Sequence, residues 1–405
     1  MNVKKILSFV LCLLFVGTLF AAGNQEAGSK EKPVIKFYGK VVEYTSGPMM
    51  TDALIEMLKD EYVIDAIQVD WGNQDQVIRT GIASGDPCDV YNYTPNSMPN
   101  FPDMAVDLKP YLDADPEWAA QFNQGAIDAG TYDGKILNVP WEQNFPVVLA
   151  NKTILDELGI VIPDAWTIEE FSVVAKQIKD AGYYPFANAM DHGRASWLYR
   201  NAMLSVIVTE GKLAEFSPAT FDLAGPESRE ALTAVQTLFD NDYMYPGAGA
   251  VTVKGDEVKA GFYSGKVLMM TEIAAGAKQT SIPADFEVVT VPWPSAGAVG
   301  AINGVYNGFF IPQNSKNIDA AVAAIKAFTS EEIQSIHGAE GYIPANNKVK
   351  ITDPFVNAVL QHASSIAGEY SYDSEQNEYF RNAIIPDLIL NGGVDTCLAA
   401  LAALQ

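Results

Sequence analysis

Val34-Ile35-Lys36-Phe37-Tyr38, the stretch Thr51 to Tyr62, and Ile67-Gln68-Val69-Asp70-Trp71 decide the fold. The first reads as a buried strand and the last as the next strand. The middle one carries Leu54, Ile55 and Leu58 on one helical face. The pattern then repeats: Gln74 to Ser84 reads as a helix, Gly85-Asp86-Pro87 breaks it, and Cys88 to Tyr93 reads as a third strand. Strands alternating with helices of this length predict parallel pairing through right-handed crossovers, the unit of a doubly wound α/β sheet.

The second half has the same style without repeating the sequence. Thr167-Ile168-Glu169-Glu170 is a capping box, followed by Phe171, Val174 and Ile178 at helical spacing, with Gly182 as the stop. Pro226 to Asp240 and Ile318 to Thr329 read as further amphipathic helices, the latter burying Val322, Ile325 and Phe328 and exposing Lys326. Gly265 to Met270 and Phe286 to Val291 read as strands. There is no internal repeat and no long flexible linker, so the chain is expected to pass between two domains in structured segments.

Residues 1–22 read as a secretory signal peptide: Lys4 and Lys5, the apolar run Ile6 to Phe20, then Ala21, Ala22 and Gly23. The run is shorter than the roughly 20 residues a spanning helix needs, and the only nearby Cys, Cys12, lies inside it rather than at a lipidation point. About 380 residues then remain, more than one core usually organises, which makes two domains the expectation. Cys88 and Cys397 are expected as buried free thiols. The formal net charge is -24, and loss of Lys4 and Lys5 makes it -26. Such a field repels polyanions and argues against nucleic acid or anionic membrane as a partner.

In open α/β sheets ligands bind beyond the carboxyl ends of the strands. That rule selects Glu43 and Tyr44, Trp71 and Asn73, and Asn92, Tyr93 and Asn96. Aromatic faces bury the C–H face of a sugar ring, and amide or charged groups satisfy its hydroxyl fringe. Each strand-end aromatic can equally be a packing residue. The densest cluster is Val139-Pro140-Trp141-Glu142-Gln143-Asn144-Phe145, where Trp141, Glu142 and Asn144 stand where a core strand is normally apolar. Arg194 and Trp197 form a second candidate group, and Trp293, Tyr306 and Asn307 a third, with glycines that permit close backbone approach or simply make turns. His192, His337 and His362 match no metal-ligand spacing, and no nucleophile elbow or phosphate loop occurs. A carboxylate pair for glycoside hydrolysis has no sequence motif, so a secreted glycoside-acting enzyme stays as the alternative reading. A protein-interaction module is a third.

Several segments carry a resemblance in order: Ala83-Ser84-Gly85-Asp86-Pro87-Cys88-Asp89-Val90, Leu108-Lys109-Pro110-Tyr111-Leu112, Tyr132-Asp133-Gly134-Lys135-Ile136, Trp166-Thr167-Ile168-Glu169-Glu170-Phe171, Phe262-Tyr263-Ser264-Gly265-Lys266 and Gly341-Tyr342-Ile343-Pro344. Together they resemble the carbohydrate-binding cluster of extracellular solute-binding proteins of ABC transporters, the relatives of the maltodextrin-binding type. The resemblance implies two doubly wound α/β lobes joined by a three-segment hinge and closing like a clamshell. It puts the crossings near Asn144–Val147, Phe309–Gln313 and Tyr342–Asn346. The lobes become residues 33–143 plus 312–342 and residues 144–311 plus 343–405. It implies ligand contacts at Asn92 and Tyr93, at Trp141 to Asn144, at Arg194 to Trp197, after the Gly265-Lys266 strand, and at a C-terminal aromatic, Tyr379 or Phe380. A Trp common after that strand is absent. Met270-Thr271-Glu272 stands there, Glu272 is taken as the polar contact, and a mono- or disaccharide is favoured over a long maltodextrin. The implied protein is an exported monomer of the periplasm or cell envelope. It would not be an enzyme, would need no cofactor or metal, and would hand a small sugar to the membrane permease subunits of an ABC importer.

Overall fold

The computed structural model describes residues 32–101, 103–122, 124–218, 220–278, 286–361, 365–367, 372 and 374–405. The expected signal segment with Cys12, and His362, lie outside them. Among the described residues no helix is long and apolar enough to cross a membrane.

The first sheet has six strands. Their spatial order is Ile343–Pro344, Val139–Asn144, Val305–Phe310, Val90–Tyr93, Val34–Lys40, Val63–Gln68. Val34–Lys40 pairs in parallel with both Val63–Gln68 and Val90–Tyr93, as the opening pattern requires. Strand order therefore reverses at Val34–Lys40, and the loops beyond its carboxyl end and those of its two neighbours share one edge. Val305–Phe310 runs antiparallel between Val90–Tyr93 and Val139–Asn144. Helix Ser46–Leu58 begins five residues before the expected start, and the strand expected at Ile67–Trp71 is Val63–Gln68. Val63–Gln68 is the sheet edge, half solvated, and the exposed Asp65 and Gln68 interrupt it, so the continuous apolar signal is absent.

The second sheet is ordered Val288–Val291, Pro146–Asn151, Val267–Ile273, Tyr184–Ala187. Only its last pair is parallel. The capping box forms as read: Thr167 accepts from the Glu170 backbone N–H, and the Glu170 side chain returns to Thr167 N–H. Helix Pro226–Asp240 has the expected limits, and Ile318–Phe328 ends one residue early.

Each sheet has its own hydrophobic core. In the first, Phe37, Phe309 and Phe328 meet at 5.1–5.5 Å between ring centroids. The second is built around Phe171, Phe186, Phe262, Met269 and Leu232. The chain leaves the first sheet at Asn144 and enters the second at Pro146, with only Phe145 between. The second passage is not at Phe309–Gln313. Ala301 still belongs to the second core, whereas Val305–Phe310 is fully paired in the first sheet and Phe309, Phe310 and Ile311 fill the first core. The boundary expected at residues 311/312 therefore moves back to before Val305. Glycine and asparagine in Gly304-Val305-Tyr306-Asn307-Gly308 lower strand propensity, yet this is the central strand. The third passage lies beyond Asn347, whose backbone N–H still donates to Gln121 O at 2.8 Å.

Candidate functional site

At the shared edge of the first sheet the buried Glu142 carboxylate gathers donors from three segments. Tyr44 Oη donates to Oε2 at 3.3 Å, Asn307 Nδ2 to the same oxygen at 2.6 Å, and Asn144 Nδ2 to Oε1 at 3.3 Å. Strand pairing makes this possible, because Asn307 stands opposite Glu142 in the ladder. A buried carboxylate is tolerated only when such donors replace water. Burial first, and then the Glu142 charge, push the Tyr44 phenol well above its ordinary range, so it stays a donor. Behind the carboxylate, His337 Nε2 is 3.7 Å from Oε1, and Nδ1 is 2.9 Å from Ser46 Oγ. Tyr342 stacks on Tyr44 and on His337, both at 4.8 Å.

Trp141 is not at this surface. Its indole is 1 % exposed, stacks on Phe309 at 6.0 Å, meets Phe328 edge-on at 5.6 Å, and donates through Nε1 to Asn92 Oδ1 at 2.7 Å. Its faces are spent on the first core. Asn92 is likewise fully buried, and its backbone carbonyl accepts from Gln74 Nε2 at 2.8 Å. Tyr93 lies against Phe101 and Phe310 and donates to Asp75. Glu43 is exposed beside this cluster. Tyr306 is buried and accepts from Gln143 Nε2 at 3.0 Å. Gly308 is needed where it is, because a Cβ there would stand 1.8 Å from Asn138 Oδ1.

The second lobe brings together Arg194, Trp197, Lys259 and Glu272. His192 and Gly193 both take positive φ, which turns the chain so that Arg194 precedes helix Ala195–Thr209. Arg194 Nη2 is 3.1 Å from Glu272 Oε1 and Lys259 Nζ is 3.1 Å from Oε2. The Arg194 guanidinium carbon sits 5.4 Å from the Trp197 ring centroid, within cation–π range. Arg194 and Trp197 are half-buried, whereas Glu272 is buried. Trp293 is a core residue: its Nε1 donates to Pro146 O at 2.9 Å and its ring meets Phe186 edge-on. The C-terminal aromatics are core residues too. Phe380 packs on Tyr199 and Tyr372, and the half-buried Tyr379 lies against the same core and donates to Asp387.

One side chain joins the two clusters. Asn144 Oδ1 accepts from Phe145 N–H at 3.0 Å and from Ala275 N–H at 3.2 Å, while its amide nitrogen serves Glu142. Ala275 lies three residues after Glu272, so a short covalent and hydrogen-bonded path runs from Tyr44 and Asn307 to Arg194 and Trp197. His337 and Tyr342 escaped the sequence reading as site neighbours. They meet Ser46 and Tyr44 across about 300 residues of chain, and no local pattern encodes that. Among the described residues no His/Cys/Asp/Glu group is arranged to hold a metal ion.

The profile of the bacterial extracellular solute-binding protein family matches residues 48–335, most of the chain. This chain belongs to that family. The solute-binding protein is 28 % identical over 117 residues to the multiple sugar-binding protein of Streptococcus mutans, covering 29 % of this chain and 27 % of that relative. The aligned region thus spans about a quarter of the relative's length. Two solved structures share its fold over nearly all of their own length. A solute-binding protein from Thermotoga lettingae bound with α-D-tagatose is 14 % identical, has a TM-score of 0.73, and covers 92 % of this chain and 100 % of its own. A substrate-binding protein of Listeria monocytogenes in complex with cycloalternan is 17 % identical, has a TM-score of 0.70, and covers 92 % and 98 %. The solute-binding protein therefore has the two-lobed periplasmic-binding-protein architecture that its sequence resemblance implies.

Proposed function

We propose that this solute-binding protein captures a small sugar between its lobes and presents it to the permease subunits of an ABC importer. The Asn144 bridge carries the reading, because its hydrogen bonds link the polar and aromatic cluster of one lobe to that of the other. A sugar needs both kinds of group at once, rings for its C–H faces and bidentate polar groups for its hydroxyls. The relatives named above, one a sugar-binding protein and two bound to sugars, support the same class of ligand.

The lobes in this reading are residues 33–144 with 305–347 and residues 145–304 with 348–405. Glu43, Arg194 and Trp197 reach solvent and are the proposed direct contacts. Tyr44, Asn92, Tyr93, Trp141, Glu142, Asn144, Glu272, Trp293, Tyr306 and Asn307 hold the surface in place from behind. A mono- or disaccharide is the proposed size, because the Met270-Thr271-Glu272 segment offers no aromatic platform for further rings. The protein is proposed to act as an exported monomer in the periplasm or cell envelope. Closure on ligand follows population shift, since contacts from both lobes exist only in the closed form.

A glycoside-acting enzyme would need a free carboxylate pair. Glu142 is committed to three donors and Glu272 to two cations, so we propose binding without turnover. Differential scanning fluorimetry over sugars, polyols, amino acids and oligopeptides tests the class. A sugar at a hundred times its Kd stabilises the fold by about 2.7 kcal/mol. A response confined to amino acids or peptides would sink the reading, and recovery of cleaved sugar after incubation would replace it with the enzyme.

A further inference from the structure

Helix Ala195–Thr209 carries Trp197 and, one turn on, Arg200 and Asn201 on the same face, followed by Leu204. Arg200 is 93 % buried by its 7 % residual exposure. Its Nε and Nη2 have no hydrogen-bond partner, and no ion pair joins it to a carboxylate among the described residues. Its guanidinium carbon lies 4.9 Å from the ring centroid of Tyr372, whose buried hydroxyl has no geometrically formed hydrogen bond among the described residues. Arg194 and Lys259 nearby differ, since each is paired with an oxygen of Glu272.

Unpaired buried polar groups are rare, and an unpaired buried cation is rarer still. Here two such groups touch. Nε and Nη2 form one edge of the guanidinium, with two parallel N–H vectors, the geometry that takes two oxygens of one anion side-on. A neutral hydroxyl would engage only one of them and leave the charge buried. We propose that the Nε/Nη2 edge of Arg200, with the Tyr372 hydroxyl, receives an anionic substituent of the captured sugar, a carboxylate or a sulfate ester. The proposal rests on the sugar-binding reading and narrows it to acidic sugars. The protein as a whole is strongly acidic, so this buried cation is the local exception that lets an anionic ligand be held.

Calorimetry tests this on the intact protein with a panel of neutral disaccharides, each paired with its uronate and its sulfate-ester counterpart. The expected result is that at least one acidic member binds tenfold or more tightly than its neutral parent. Arg200→Lys keeps the charge and loses the two-pronged edge, and Arg200→Gln loses both. Each is expected to abolish that ratio while leaving the neutral parent within threefold. Preference for the uronate or for the sulfate ester identifies which anion the edge accepts. Equal or tighter binding of the neutral parents overturns the acidic-sugar inference and leaves sugar capture standing. An acidic preference that survives in both variants overturns it too, by placing the anion elsewhere. If no member of the panel binds while amino acids or peptides do, both readings fall. The wild-type ratio alone decides the matter should a variant fail to fold.

Discussion

Replacing Trp141 with Phe separates a core role from a ligand role at the most conspicuous aromatic of the sequence. Phe preserves part of the stack on Phe309 but removes the Nε1–H donor that Asn92 Oδ1 accepts at 2.7 Å. Leaving that buried oxygen unpaired costs about 1–3 kcal/mol. The smaller ring leaves a void of about 40 Å³ which, at about 24 cal/mol per Å³, adds about 1 kcal/mol. The total is about 2–4 kcal/mol, and at roughly 1–1.5 °C per kcal/mol for a protein of this size the melting temperature falls by about 2–6 °C. Calorimetric melting and urea unfolding followed by far-ultraviolet circular dichroism measure it without relying on the lost indole. The same change in an Asn92→Ala background then costs only the packing part, about 1 kcal/mol, since no acceptor is left to orphan. An equal loss in both backgrounds, or a melting temperature within a degree of wild type, would refute the reasoning.

Trp197→Ala is expected to weaken sugar binding by about 1.5–3 kcal/mol, ten- to hundredfold in Kd, with little change in melting temperature because the ring is half-exposed. Isothermal titration reads it, and an unchanged Kd removes Trp197 from the surface. Gly308→Ala is expected to destabilise the first lobe by several kcal/mol, at the upper end of the usual 0.5–3 kcal/mol for single changes, since its Cβ would overlap Asn138. Burial raises both Cys88 and Cys397 above the ordinary thiol range, the latter to about 11, so neither is expected to react with Ellman's reagent at pH 8 until the protein is unfolded. Lys212 lies 2.7 Å from Glu227 and holds its carboxyl below 4.5. That stability is present above pH 4.5 and disappears as the pH falls through the depressed value. Glu227→Gln should therefore cost at most about 1 kcal/mol at pH 7, Lys212 being half-solvated, and progressively less as the pH is lowered, as a series of urea midpoints at falling pH will report.

The opening strands and helices were legible because each is a local pattern: an apolar run, a capped amphipathic helix, a Gly-Pro break. What failed to show were features set by distant chain. Gly304-Val305-Tyr306-Asn307-Gly308 looks like turn sequence, yet Asn307 must be polar to reach Glu142 and Gly308 must be small to admit Asn138. Tertiary fit therefore overrides strand propensity there. Trp141 and Trp293 read as candidate platforms because an aromatic beside polar residues has the same appearance in a core and in a site. The partner of each indole N–H, Asn92 in one case and Pro146 in the other, is 49 or 147 residues away. Glu142 and Arg194 were picked out by residue type alone. The donors that give them their present roles could not have been.

Placement of Val305–Phe310 between Val90–Tyr93 and Val139–Asn144 has a consequence for how the polypeptide matures. A nascent chain that has emerged through residue 300 possesses four of the first sheet's six strands and lacks the one that joins them. Until that late segment pairs, Val90–Tyr93 and Val139–Asn144 have no strand between them. Joining it requires contacts spanning more than 160 residues, the kind that make folding slow. The first lobe is thus completed almost last, after every strand of the second sheet has been synthesised.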